Sequence, residues 1–108
     1  MKLNIKKCKI GSSYYDVKYV DELKGENGRD LSGRIWETIR LIKIDGTESY
    51  QKQLQTLLHE DLHGILWEYG IKDIEEVVEP LSNGFYALMI DNPRYIQKIL
   101  DYAKELKK

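Results

Sequence analysis

The chain has 108 residues, 17 of them basic and 18 acidic, with a net charge of -1, 42% hydrophobic residues and 10% aromatic ones. That length suits one domain with one core, the composition is that of a folded chain, and the charge balance excludes a global field that would steer it to nucleic acid or anionic lipid. The single Cys8 excludes an internal disulfide, no apolar run approaches the roughly 20 residues of a membrane helix, and MKLNIKKCKI lacks the apolar stretch of a secretory signal, so the expected setting is cytoplasmic, without nucleic acid or membrane as partner.

From Leu3 to Ile10 apolar residues alternate imperfectly with Lys and Asn, which predicts a strand, bulged in places. Gly11-Ser12-Ser13 makes a turn, and Tyr15, Val17 and Tyr19 repeat with period two in a second strand to Val20. Cys8 reads as a half-buried strand residue. Residues 24–33, KGENGRDLSG, are the most loop-like part of the chain and the expected mobile segment. GRIWETIRLIKIDG is rich in β-branched and aromatic residues and predicts one or two strands ending at Asp45-Gly46.

Thr47 is placed to cap a helix of about 20 residues in which Leu54, Leu57, Leu58, Leu62, Ile65 and Tyr69 share one stripe, with Gly70 as its C-terminal stop. Asp73 and Glu76 form a D-x-x-E capping box for a second helix, with Ile74, Val78, Leu81, Phe85 and Leu88 on one face. Pro93 opens a third, amphipathic helix carrying Tyr95, Ile96, Ile99, Leu100 and Ala103. The lysines near the two ends, Lys6, Lys7 and Lys9, then Lys104, Lys107 and Lys108, read as solvated. The predicted class is α+β, a small antiparallel or mixed sheet followed by three helices in a single domain over residues 1–108.

Both histidines lie in LLHEDLHGILWEYG, residues 57–70. A helix turns through 400° in four residues, so His59 and His63 point the same way, about 6 Å apart along the axis. Glu60 stands about 100° from His59 and 60° from His63, close enough to reach a water between them without being a ligand. Two imidazoles followed on a helix by a carboxylate of this kind suit a catalytic zinc with Glu60 as general base.

Catalytic zinc takes three protein ligands. A histidine-type extension of the motif would need Gly at 66 and His at 69, where this chain has Leu66 and Tyr69, so the third ligand is sought among Glu75, Glu76 and Glu79. For antiparallel helices about a turn at residues 70–73, His63 and His59 lie roughly 10 and 16 Å back from the turn, Glu79 about 9 Å in, and Glu75 and Glu76 about 3 to 5 Å in. Those heights favour Glu79, with Glu75 and Glu76 as alternatives. Pro80 next to it predicts a kink or a fresh helix start. Asn83 is placed to orient a histidine, and Tyr86 to donate to an oxyanion. Gly64, directly after His63, predicts a close approach by another backbone or by substrate.

Together HEDLHGIL and EPLSNGFYAL resemble the HExxH and E-A-N-x-F-A motifs of ImmA/IrrE-type metallopeptidases, in particular small forms encoded by phages and prophages. The resemblance spans about residues 33–92, with Pro80 in place of the small residue that follows the family's glutamate. It implies a minimal zincin-like architecture, a gluzincin-type zinc site of His59, His63 and Glu79, Glu60 as base, and a peptide or protein substrate such as a repressor-type regulator. Two other readings stand beside the peptidase: a metal-stabilised interaction module without turnover, encoded by a phage or mobile element, and an α+β scaffold without metal.

Overall fold

Burial along residues 13–20 has a period of two, with Tyr15 and Val17 buried and Tyr14, Asp16 and Lys18 exposed, the pattern of a strand covered on one side. The computed structural model, which describes residues 2–108, pairs this strand, β2 (Ser13–Val20), with β1 (Lys7–Ile10) and β4 (Leu41–Asp45), and β4 with β3 (Gly33–Trp36). The sheet is mixed and ordered β1-β2-β4-β3: β2 and β4 run parallel, and the other two pairs are antiparallel. Three helices follow, α1 (Tyr50–Glu68), α2 (Glu75–Asp91) and α3 (Pro93–Leu106), so the α+β order is the one predicted. Among the described residues no helix is long and apolar enough to cross a membrane.

Register places the core. Val17 lies opposite Ile42, and Ile42 opposite Ile35, so three β-branched side chains form one row across neighbouring strands. Ile42 and Ile44 are fully buried, each worth about 1.5–3 kcal/mol relative to exposure. Leu3, Ile10, Tyr15, Val17 and Leu57 complete the core cluster, and α1 lies across β1, β4 and β3.

Several local expectations are corrected. The strand predicted from Leu3 begins at Lys7, although Leu3 is buried and Tyr19 Oη donates to the Ile5 carbonyl at 2.7 Å. Of the one or two strands expected over residues 33–46, two form, β3 and β4, turning where Arg40 takes a φ of 52°. The loop-like segment 24–33 is folded back on itself by a Lys24–Asp30 ion pair and a Leu31 N–H to Leu23 carbonyl bond of 2.9 Å. Ser49, not Thr47, caps α1, its hydroxyl accepting from the Lys52 N–H at 3.2 Å, while Thr47 bonds to Asp45. The Asp73/Glu76 capping box does not form: α2 starts at Glu75 behind Ile74, without a side-chain cap, and runs on through Pro80.

The buried side of α1 is more polar than its leucine stripe predicts. Gln53, Thr56, Glu60 and His63 are buried, whereas Ile65 and Tyr69 are exposed. Two glycines make room for this seating. A Cβ on Gly33 of β3 would stand 2.5 Å from Thr56 Cγ2 and 3.3 Å from Glu60 Cγ; one on Gly64 would stand 2.8 Å from Ile10 Cδ1. The close neighbours of Gly64 are therefore the tips of Ile10 and Ile35, not a backbone or a substrate. Thr56 is β-branched and held on its own helix, whereas Ile10 can turn its terminal methyl aside.

On the other flank of α1, Asp61 faces Cys8 of β1. Burial, with the Asp61 carboxyl beside it, pushes the Cys8 thiol up to about 12, so it is an unreactive strand residue. Burial raises the Asp61 carboxyl to about 7, and its Oδ1 is buried without a partner among the described residues.

Two predictions follow from this packing. Gly33→Ala is expected to lower stability by about 1–3 kcal/mol through overpacking, and Gly64→Ala to be nearly neutral, since the helix propensity of Ala offsets a small shift of Ile10; thermal unfolding of the two variants separates them. Because the folded chain holds the Asp61 proton up to about pH 7 and the unfolded chain releases it near pH 4, stability falls as pH rises through that window. Asp61→Asn is expected to flatten that slope and to add about 1–3 kcal/mol above neutral pH, read by urea unfolding at acidic and alkaline pH.

Candidate metal centre

The i, i+4 spacing on α1 brings the two imidazoles together with ring centroids 5.0 Å apart and Nε2 atoms 3.2 Å apart. Glu75, the first residue of α2, closes the group: its Oε1 lies 3.0 Å from His59 Nε2 and its Oε2 2.8 Å from His63 Nε2. The far nitrogens are occupied as well. His63 Nδ1 stands 2.7 Å from Asp73 Oδ1, and His59 Nδ1 lies 3.2 Å from Glu79 Oε2 and 3.3 Å from Ser82 Oγ. Ser82 Oγ itself donates to the Glu79 carbonyl at 3.0 Å, so toward His59 it accepts.

Carboxylates and an accepting hydroxyl at Nδ1 can take a proton from each Nδ1, and in that tautomer the Nε2 lone pairs face one another and Glu75. Two imidazole lone pairs and a carboxylate directed at one point repel unless a cation lies between them. His59, His63 and Glu75, whose donor atoms lie within 4.8 Å of one another, could therefore hold a metal ion. The donor set fits: imidazole nitrogen and carboxylate oxygen suit zinc and other first-row divalent ions, and the held Nδ1 protons are the usual outer support of such ligands.

Local sequence explains the placement. After α1 the Ile71 N–H returns to the Leu66 carbonyl at 2.8 Å, doubling the chain back so that Asp73 reaches His63 and Glu75 lies against both rings. Trp67, one turn after His63, lies against its ring at 6.2 Å between centroids. The cluster lies in a cleft of about 540 Å³ between α1, α2 and residues 31–35, including the start of edge strand β3, a size suited to a small ligand or a length of peptide.

Glu60 lines the same cleft and is buried, packed beneath Gly33. Burial lifts its carboxyl to about 7, against the lowering effect of His63, and the nearby Glu75, Asp61 and Asp73 add to the rise. A carboxyl tuned to neutral pH beside two imidazoles can accept and return a proton.

The predicted residues are thus distributed as follows. His59, Glu60 and His63 come together. Glu75 is the glutamate at both Nε2 atoms, while Glu79 lies at the opposite nitrogen of His59 and Glu76 is absent from the cleft lining. Asn83 lines the cleft, but Ser82 is the residue that reaches a histidine; Tyr86 does not line it. Asp73, whose spacing is that of a helix cap, instead reaches back to His63.

Comparison with protein-family models, with curated proteins and with solved structures finds no match for this chain.

Proposed function

We propose that the chain is a zinc-dependent metallopeptidase in which His59, His63 and Glu75 hold the metal and Glu60 moves the proton. The observation that carries this reading is the convergence of both Nε2 atoms on Glu75 while both Nδ1 atoms are held from behind. Two histidines and one carboxylate form the three-ligand set of catalytic zinc sites. A zinc ion bound there would polarise a scissile carbonyl and acidify a water to a pKa near ~7.

The chain's own residues supply the rest. Glu60 takes a proton from the attacking water and delivers it to the leaving amine as the C–N bond breaks. Asp73 and Glu79 fix the imidazole orientations through Nδ1. Among the described residues β3 pairs only with β4, so its outer edge is open beside the cleft and can align an extended peptide by main-chain hydrogen bonds. The resemblance of HEDLHGIL and EPLSNGFYAL to ImmA/IrrE-type peptidases favours the same chemistry and makes a repressor-type regulator the first substrate to try. In this reading Glu75 takes the ligand role that the resemblance gives to Glu79.

Metal content of protein purified without added metal is expected to be about one zinc per chain, lost in His59→Ala and in Glu75→Ala. Glu79→Gln is expected to weaken zinc affinity by about 10- to 100-fold without abolishing binding. Full loss in Glu79→Ala with retention in Glu75→Ala would exchange the two roles. Glu60→Gln should keep the metal and lower peptide hydrolysis by about 10²- to 10⁴-fold; an unchanged biological effect in that variant would point to the interaction module instead.

A further inference from the structure

α2 and α3 carry a surface that neither the sheet nor the metal centre uses. At 100° per residue, Ile74, Val77, Leu81, Phe85 and Leu88 form one stripe on α2, about 120° round the helix from Glu75, Glu79 and Ser82. Every one of them is exposed, by 36% to 52%. On α3 the apolar residues Ile96, Ile99, Leu100 and Ala103 form a comparable stripe, yet no residue of this helix is buried, and Ile99 and Leu100 are each half exposed.

An amphipathic helix of 14 residues is marginal in water without a partner for its apolar face. The partner is not α2 of the same chain. Asn92 alone separates α2 from α3, whereas antiparallel helix hairpins need a loop of about 2–5 residues. α3 therefore meets α2, to which it is joined, only sparsely, and both stripes stay open.

We propose that a second copy of this chain covers them, α3 of each copy lying antiparallel on the α2 stripe of the other in a two-fold symmetric exchange. One helix lacks a cover and its neighbour lacks an occupant, so a single two-fold operation satisfies both on both chains. The area is sufficient. The exposed apolar side chains of the two stripes, with Leu106 beside them, leave on the order of 700 Å² in water, comparable with the roughly 800 Å² that each partner gives a standard interface and more than the largest patch of an ordinary monomer. The charges match as well. Outside the cleft α2 carries Glu76 and Asp91 and no cation, whereas residues 93–108 carry five cations against Asp101 and Glu105. Antiparallel pairing brings Lys104, Lys107 and Lys108 toward Glu76 and Arg94 toward Asp91. The cleft stays open, because its residues lie on another side of α2.

Sedimentation of the full chain at micromolar concentration tests this directly. The wild type is expected to sediment at twice the chain mass, and Ile99→Glu with Leu100→Glu at the single-chain mass, with helix content by circular dichroism and zinc content unchanged. In a Cys8→Ser background, chains carrying Leu81→Cys and chains carrying Ile99→Cys should form a disulfide when mixed and little when kept apart. A wild type that sediments as one chain, whether or not it binds phosphatidylserine vesicles, overturns the proposal. A dimer that survives the double glutamate variant, or that links Leu81→Cys to itself in preference, overturns it too.

Discussion

The position of α2 depends on the contact between its first turns and the two histidines of α1. Val78 and Ser82 are the fully buried residues of α2, with Tyr86 and Met89 half-buried, so its apolar packing is thin and Val78 alone supplies about 1.5–3 kcal/mol. The remaining connections are polar and converge on two rings: Asp73 and Glu75 on His63, Glu75, Glu79 and Ser82 on His59. Side chains that could hold a metal are therefore the same ones that hold the helix. In such an arrangement the free energy of binding a metal would also be folding free energy.

The sheet side of α1 follows from a different constraint. A carboxylate buried at Glu60 is costly, and a fold that needs it must bring a strand close without crowding it. Gly33 meets that need at the start of β3, where any side chain would collide with Thr56. The rise of the Glu60 carboxyl to about 7 is the electrostatic record of that burial. Asp61, the next residue, bears a similar cost on the opposite flank and points at Cys8 instead of the cleft. Adjacent carboxyl groups with similar shifts thus differ in use, and direction, not titration, separates them.

Much of this was legible in the sequence. Period-two alternation gave β2, turn residues gave the hairpin with β1, and the i, i+4 histidines required one helix face. What was not legible depends on the chain path between α1 and α2. Counting rise from a turn at residues 70–73 favours Glu79, but the chain doubles back at Ile71 and Asp73 is drawn to His63, which brings Glu75 to the level of both rings. The D-x-x-E pattern at Asp73 and Glu76 has the spacing of a cap, and a hydrogen bond to a histidine ten residues earlier overrides it. Local pattern could not reveal this, because the competing partner is tertiary.

The apolar stripes of α2 and α3 show a related limit. Periodicity correctly marks which face of each helix is apolar, and the usual inference is that this face lies in the chain's own core. Here the sheet has one covered face, and α1 occupies it with side chains from β1, β3 and β4. The other face, with Lys7, Lys9, Asp16 and Lys18 exposed, offers α2 and α3 little apolar surface, and the single residue Asn92 prevents them from closing on each other. Amphipathicity therefore specifies that a face must be covered, while loop length and the area already taken decide whether the cover can come from the same chain.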